Sequence, residues 1–175
     1  MNSFIKHIVE AFDFGTVNKQ HNIKTVHEIL RKQLDIVVQK IIDGEVLTVE
    51  DRKFIDNLPD GSYCTDNRKI RMLTTSVMKS LGYNCSLNWI NTSNVTNMAG
   101  LFEYVKFKGD ISNWDVSNVT NMERMFYNSN FNGDISRWDV SNVTNMNEMF
   151  ATSIFKGDID KWNVSNVTTM KGMFE

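Results

Sequence analysis

Residues 117–140 read SNVTNMERMFYNSNFNGDISRWDV, and this stretch decides the fold because the chain repeats it. Residues 93–116 read SNVTNMAGLFEYVKFKGDISNWDV, and residues 141–164 read SNVTNMNEMFATSIFKGDIDKWNV. A further copy, SNVTTMKGMFE, begins at Ser165. The period is 24 residues. Self-similarity at such a period is typical of architectures in which short units stack on one another.

Large apolar residues recur at the same positions of each copy. A single copy has too few of them to enclose a core, so we expect neighbouring copies to share one. The tryptophans and one set of phenylalanines are expected to form a structural ladder along the stack: Trp89, Trp114, Trp138, Trp162, Phe102, Phe126, Phe150 and Phe174.

The spacing within one copy indicates its local structure. Trp138 and Val140 alternate with polar residues, which predicts a short strand near 137–141 and at the equivalent positions. Glycine is the residue that a tight return turn needs, and Gly157 of the next copy is an example.

The second half of the pattern is helical in its spacing. Met146, Met149 and Phe150 lie on one face of a helical turn, which predicts a short helix or 3₁₀ turn near 145–151. We therefore expect an α+β fold, in which a small N-terminal helical subdomain caps a leucine-rich-repeat-like solenoid of 24-residue coils. Each coil would carry one short parallel strand and one short helix.

An asparagine and an aspartate also recur once in every copy. We expect the asparagines to be buried and to hydrogen-bond the backbone of neighbouring coils, although each also fits the glycosylation pattern: Asn94, Asn118, Asn142 and Asn166. Turn capping is the expected role of the aspartates that follow glycine, Asp110, Asp134 and Asp158, because one carboxylate per coil supplies too few oxygens for calcium.

Charged and polar residues flank the tryptophans. Alternate strand residues of a solenoid face its open side, where ligands commonly bind. This placement makes them candidates for partner binding, with an ordinary solvated face as the alternative: Asp115, Arg137, Asp139, Lys161 and Asn163.

The residues before the repeats have helical patterns. Apolar stripes predict helices over 25–43, 49–57 and 67–81, with a capping start at Thr48 and ends at Gly44 and Gly82. We therefore expect one helical subdomain over 16–82, which covers the first coil of a repeat region at 87–175, about three and a half coils long.

Residues 1–14 form an amphipathic leader. Phe4, Ile8 and Phe12 share one helical face, and a helix this short needs a surface to dock on. That surface is either the helical subdomain or a partner protein. The leader also resembles those of some gut-phage proteins over about a dozen residues.

The repeat itself resembles a known family. SNVTNM followed by FxGDI and a tryptophan is similar to the BspA-type leucine-rich repeat of bacterial surface proteins and mycoplasma lipoproteins, over residues 87–175. The resemblance implies a repeat scaffold, often at surfaces and in adhesion, with no catalytic residues. Such surface proteins carry a secretion signal, and no signal peptide is recognisable here.

Composition excludes several classes of function. The net charge of −2 gives no bulk attraction to nucleic acid, and no apolar run is long enough to span a membrane. We expect two free thiols at Cys64 and Cys85, no cofactor, no metal and no enzymatic activity. An intracellular or virion-associated location follows, with the cell surface as the alternative.

The last copy stops after Phe174 and Glu175, so its second half is missing. An uncovered coil exposes apolar side chains and strand edges. We therefore expect a protein partner or another copy of the chain at this open C-terminal end and at the leader. The function favoured by the sequence is a non-catalytic scaffold for protein–protein interaction or assembly, such as a structural component of a phage virion. A bacterial adhesion module is the alternative.

Overall fold

The computed structural model describes the backbone of residues 19–175, with side chains from residue 28 onward. The leader and its residues Phe4, Ile8 and Phe12 lie outside the described residues. The chain divides into two compact units, Met1–Pro59 and Asp60–Glu175. This division falls inside the range 16–82 that the sequence patterns assign to one helical subdomain.

The first unit contains two described helices. Helix α1 spans Lys19–Asp43 and α2 spans Val49–Asp56. The buried side of α1 carries the predicted apolar stripe, of which Leu34, Val37 and Ile41 are at most 5% exposed. Gly44 follows α1 with a φ of +73°, a left-handed conformation that glycine adopts at no steric cost.

Helix α2 begins as the sequence predicts. Thr48 Oγ1 accepts a hydrogen bond from the Asp51 amide, and the Asp51 carboxylate accepts one from the Thr48 amide. Lys40 Nζ also lies 2.9 Å from an Asp51 carboxylate oxygen. The hydrogen bond from Lys40, followed by those from Thr48, holds the pKa of Asp51 below its usual value. The carboxylate thus joins α1 to the start of α2.

We predict that Asp51→Asn destabilises the first unit by about 1 kcal/mol at neutral pH, because it weakens the cap and removes the charge pairing. The lowered pKa means that the ionised carboxylate stabilises the fold above about pH 4, its unfolded value, and that this contribution is lost as the pH falls through the folded value. Urea unfolding at several pH values measures this. The variant should lose less stability than the parent between about pH 5 and pH 2, and an identical pH dependence would contradict the prediction.

The second unit begins with elements that adjoin the first repeat. Strand β1, Tyr63–Cys64, pairs in parallel with β2, Ile90–Asn91, and helix α3 spans Ile70–Leu81 between them. The spacing pattern predicted the helix, but its start at 67 was wrong. Asp66 accepts hydrogen bonds from the amides of Arg68 and Lys69, which form a turn ahead of the helix.

Each repeat is joined to the next by a ladder of backbone hydrogen bonds. Every second amide of 122–128 donates to a carbonyl of the following repeat, for example Met122 to Asn145 and Phe126 to Met149, both at 2.9 Å. Residues 98–104 and 146–152 do the same toward their own following repeat. The ladder also contains parallel bridges between Asn97, Asn121, Asn145 and Thr169.

This ladder corrects the local structure that we expected within a repeat. Residues 145–151 form turns instead of a helical segment, and residues 137–141 are not a strand. The physical reason is that alternate amides of the turn segment bind the neighbouring repeat, so they are not available to an intrahelical carbonyl. Glu148 and Thr152 accordingly have left-handed φ angles of 50° and 52°.

Aromatic side chains fill the space that neighbouring repeats share. Phe102, Phe126 and Phe150 stack with ring centroids 5.5 Å apart, and the first two have no exposed surface. Phe107 and Phe131 form a second column, 6.0 Å apart, against the first. Distances of this size are typical of favourable aromatic packing.

The tryptophans connect the aromatic columns to the backbone. Trp138 is 4% exposed, its ring lies 6.4 Å from that of Phe126, and its Nε1 donates to the Ile111 carbonyl of the preceding repeat. Trp114 and Trp162 make the equivalent bonds to carbonyls 27 residues earlier in the chain. Each of these tryptophans therefore contributes to two repeats at once.

We predict that Trp138→Ala lowers the free energy of unfolding of the second unit by about 3–5 kcal/mol, because it opens a large cavity and leaves a carbonyl without its donor. Chemical denaturation followed by circular dichroism measures the loss. The exposed neighbour Arg137 provides the control, since Arg137→Ala should change stability by no more than about 0.5 kcal/mol. A Trp138 variant as stable as the parent would contradict the shared core.

Candidate functional site

The candidate binding residues of the repeats form two rows of exposed side chains. One row contains the candidates Arg137 and Lys161, with Asn113 as the equivalent residue of the first repeat, and the other is Asp115, Asp139 and Asn163. Members of a row are one repeat apart. The rows place basic side chains beside acidic ones on one surface, which we call the polar face.

Local hydrogen bonds fix the second row of the polar face. Each of its side-chain oxygens accepts a bond from the amide two residues later, as Asp139 does from Ser141 at 3.0 Å. Hydrogen bonds from the Ser141 side chain and backbone lower the pKa of Asp139 below its usual value. The carboxylates cap turns and keep a fixed direction.

The first row is linked to the start of the second unit. Arg137 Nη2 donates to Asn113 Oδ1 at 3.2 Å, and Asn113 Nδ2 donates to Asp60 Oδ2 at 2.8 Å. A depression of about 210 Å³, lined in part by Asp60, Asn91, Asn113 and Asp115, lies beside this chain of polar groups. The depression is shallow and polar, and it suits a projecting polar side chain from a partner better than an apolar ligand.

The asparagine ladder is only partly as we expected. Asn118, Asn142 and Asn166 each donate Nδ2 to a serine carbonyl of the preceding repeat, at 2.7–2.9 Å. The expectation that these asparagines are buried was wrong, because all three are exposed and so is Asn94. Their inward neighbours, the valines, occupy the core, and alternation along the backbone turns the asparagines outward.

We predict that Asn142→Ala lowers the free energy of unfolding by about 0.5–1.5 kcal/mol, the range for a hydrogen bond whose acceptor regains water when the donor is removed. Asn94→Ala is the matched control, because Asn94 has the same repeat position and exposure. Among the described residues, its side chain makes no hydrogen bond to a preceding repeat. Thermal unfolding of the two variants measures the difference, and equal stabilities would contradict the role assigned to the Asn142 amide.

The last repeat exposes side chains whose counterparts are buried in earlier ones. Phe174 is 62% exposed and Met170 is 44% exposed, whereas Phe126 and Met122 have no exposed surface. Phe174 still stacks on Phe150 with centroids 5.6 Å apart. These side chains give the second unit an apolar surface at its final repeat.

The aspartates that follow glycine cap turns, as expected. Asp110, Asp134 and Asp158 each accept a hydrogen bond at 2.9 Å from the amide two residues later. Within the described residues, the structure contains no group of three or more histidine, cysteine or acidic side chains able to hold a metal ion.

The two cysteines are free and differ in environment. Cys64 is exposed, whereas burial raises the pKa of the Cys85 thiol to about 11. A thiol with such a pKa is almost wholly protonated at neutral pH and is a poor nucleophile.

Several contacts that organise the first repeat have no counterpart in the repeat pattern. Arg71 of α3 donates to the carbonyls of Ala99 and Gly100, and Asn67 Oδ1 accepts from the amides of Thr96 and Asn97. Residues 60–82 thus satisfy backbone groups that later repeats satisfy for one another. Sequence reasoning missed these two residues because neither is part of a periodic pattern.

One comparison with known proteins identifies the class of this chain. Residues 71–175, more than half of its length, match the model of a family described as "Mycoplasma protein of unknown function, DUF285". The chain therefore belongs to this family. No curated protein and no solved structure matches it significantly.

The family match begins inside α3, before the first repeat, and so includes most of the helix that contributes Arg71. None of the helices in the described part of the chain is long and apolar enough to cross a bilayer.

Proposed function

We propose that this protein is a non-catalytic repeat scaffold that binds a protein partner through its polar face, with the repeats stacked as a leucine-rich-repeat-like solenoid. The observation that supports this proposal best is the regular recurrence of two exposed rows along the repeats. Members of a row recur every 24 residues, and turn-capping bonds orient the acidic row. Such preorganisation lowers the entropic cost of binding.

The charge pattern favours a protein as the partner. Arg137 and Lys161 stand beside Asp115 and Asp139, so the polar face carries both signs of charge. Nucleic acid binding usually depends on a surface of one sign, and the net charge of the chain is −2. A partner surface with complementary charges of both signs gains affinity and orientation from this arrangement.

We consider two locations for the scaffold. Assembly inside the cell or in a phage particle is the first, and it rests on the sequence resemblance of the leader. A module on the surface of a bacterium is the second, and it rests on the resemblance of the repeat to the BspA-type repeats of bacterial surface proteins. Cell fractionation and analysis of purified particles distinguish the two, since an adhesion module must be recovered with the cell envelope.

The proposed binding role is tested by chemical cross-linking of the full chain in the organism that produces it, followed by mass spectrometry. We expect one or a few proteins to be recovered reproducibly with the parent. The charge-reversing pair Arg137→Glu and Lys161→Glu should reduce their recovery about tenfold, the effect expected when close charge pairs become repulsive.

Lys32→Glu provides the control, because Lys32 is an exposed lysine of the first unit and lies outside the polar face. Folding of all variants is checked by thermal unfolding. Recovery of the same partners by the parent and by the doubly reversed variant would contradict the proposal, and so would a chain that is cross-linked to no other protein.

A further inference from the structure

A groove of about 430 Å³ lies on the second unit, away from the residues of the polar face. We call it the tyrosine groove, and its lining includes Met78, Lys79, Tyr83, Tyr104, Val105 and Lys106. Two of these side chains are large and exposed, since Tyr83 is 49% and Tyr104 is 62% accessible to solvent. The volume falls in the range of ligand-binding clefts.

Tyr104 occupies a repeat position at which the ladder imposes a left-handed backbone. Its φ is 57°, and the equivalent residues of the next two repeats are Asn128 and Thr152, with φ values of 47° and 52°. Asparagine tolerates this conformation better than a bulky aromatic residue does. The Tyr104 ring contacts Tyr127 edge-on at 5.3 Å, yet most of its surface stays in water. Packing within the unit therefore leaves most of this ring available for contact with a partner.

The charges around the tyrosine groove have one sign. Lys79 and Lys106 line it, and neither forms an ion pair with a described residue. No carboxylate is among the lining residues. The nearest acidic side chain in sequence, Glu103, is paired with Arg124 at 3.0 Å. The groove thus combines apolar and aromatic surface with two uncompensated cations.

We infer that the tyrosine groove binds an acidic segment of a partner protein, in which a large apolar side chain is flanked by carboxylates. The apolar side chain would pack against Tyr83, Tyr104 and Val105, and the carboxylates would pair with the two lysines. Aromatic anchors surrounded by charged side chains are typical of the sites that dominate protein interfaces. This inference rests on the proposed role as a protein-binding scaffold and adds a second contact surface with its own chemistry.

Single-stranded nucleic acid is the competing occupant, because exposed aromatic rings beside lysines can also stack bases. Binding of single strands usually depends on a basic groove that follows several phosphates, whereas only two lysines are among the lining residues of the tyrosine groove. The peptide is therefore the occupant that the charges favour, and polyuridine is included in the test.

The test uses the full chain and fluorescence anisotropy with a labelled short peptide of repeating glutamate, leucine and glycine. The same peptide with glutamine in place of glutamate is the matched probe. We expect saturable binding of the glutamate peptide, an affinity about tenfold lower for the glutamine peptide, and a loss of the difference at high salt.

Tyr104→Asn is the informative variant, because it installs the residue that the next repeat carries at a left-handed position. It should keep or raise the unfolding midpoint while lowering the affinity for the glutamate peptide at least about tenfold, as removal of an aromatic anchor does. The pair Lys79→Gln and Lys106→Gln should lower it about three- to tenfold and abolish its salt dependence. Lys156→Gln is the control, because Lys156 is an exposed lysine of the second unit outside both the polar face and the tyrosine groove, and it should leave the affinity unchanged.

Three outcomes would overturn the inference: no saturable binding of the glutamate peptide, equal affinity for the glutamine peptide, or unchanged affinity in the Tyr104 variant. Preferential binding of polyuridine would overturn it as well. Failure here is distinguishable from failure of the proposed function, because loss of partner recovery in the polar-face variants is measured independently of the tyrosine groove.

Discussion

The donation of every second amide in a turn segment to the next repeat is the constraint on which the rest of the second unit depends. The ladder requires residues such as Asn121 and Asn145 to lie opposite each other, one repeat apart. It also requires a turn between successive donors, and turn hydrogen bonds such as that from the Met125 amide to the Met122 carbonyl supply it. Combining the ladder with these turns places several residues, including Arg124 and Asn128, in the unfavourable left-handed backbone conformation.

Once the ladder fixes the distance between repeats, the side chains have only one way to pack. The two phenylalanine columns stack with ring centroids 5.5–6.2 Å apart because equivalent rings sit one repeat apart, and the tryptophans close the space beside them. On the outer surface, Arg137 and Asp139 have hydrogen-bond partners at Asn113 and Ser141. This local order of exposed side chains is why we propose binding at the polar face.

The features that the sequence predicted correctly have either a local signature or a periodic one. The capping box at Thr48 has a local signature, and the shared apolar positions follow from the repeat. The sequence did not predict the turns at 145–151, because Met146, Met149 and Phe150 have the spacing of a helical face whether or not a helix forms. Whether the segment forms a helix or turns depends on whether its amides bond within the segment or to a neighbouring repeat. The second kind of bond involves residues far away in the sequence, so the local spacing does not reveal it.

The sequence likewise indicated only part of the candidate surfaces. The candidate residues of the polar face, apart from Asn113, were proposed from the sequence because they flank the tryptophans in phase, and their binding role stays a prediction. The exposure of Asn142 was missed because an asparagine that bonds a neighbouring backbone was assumed to need burial, whereas exposed side chains can do the same. Tyr83 was missed because it precedes the repeats, and Tyr104 was missed because it occupies a repeat position at which the residue type varies. The groove that both residues line is not revealed by sequence spacing.

The matching of residues one period apart also has an evolutionary consequence. If unequal recombination adds or removes one whole repeat in the gene, the residues equivalent to Phe126 still stack on equivalent rings of the next repeat. The residues equivalent to Asn121 likewise still pair with the equivalent backbone position. A shorter insertion inside a repeat would put every later ladder bond out of phase. The length of the polar face is therefore a property that selection can adjust in whole repeats without redesigning the interior.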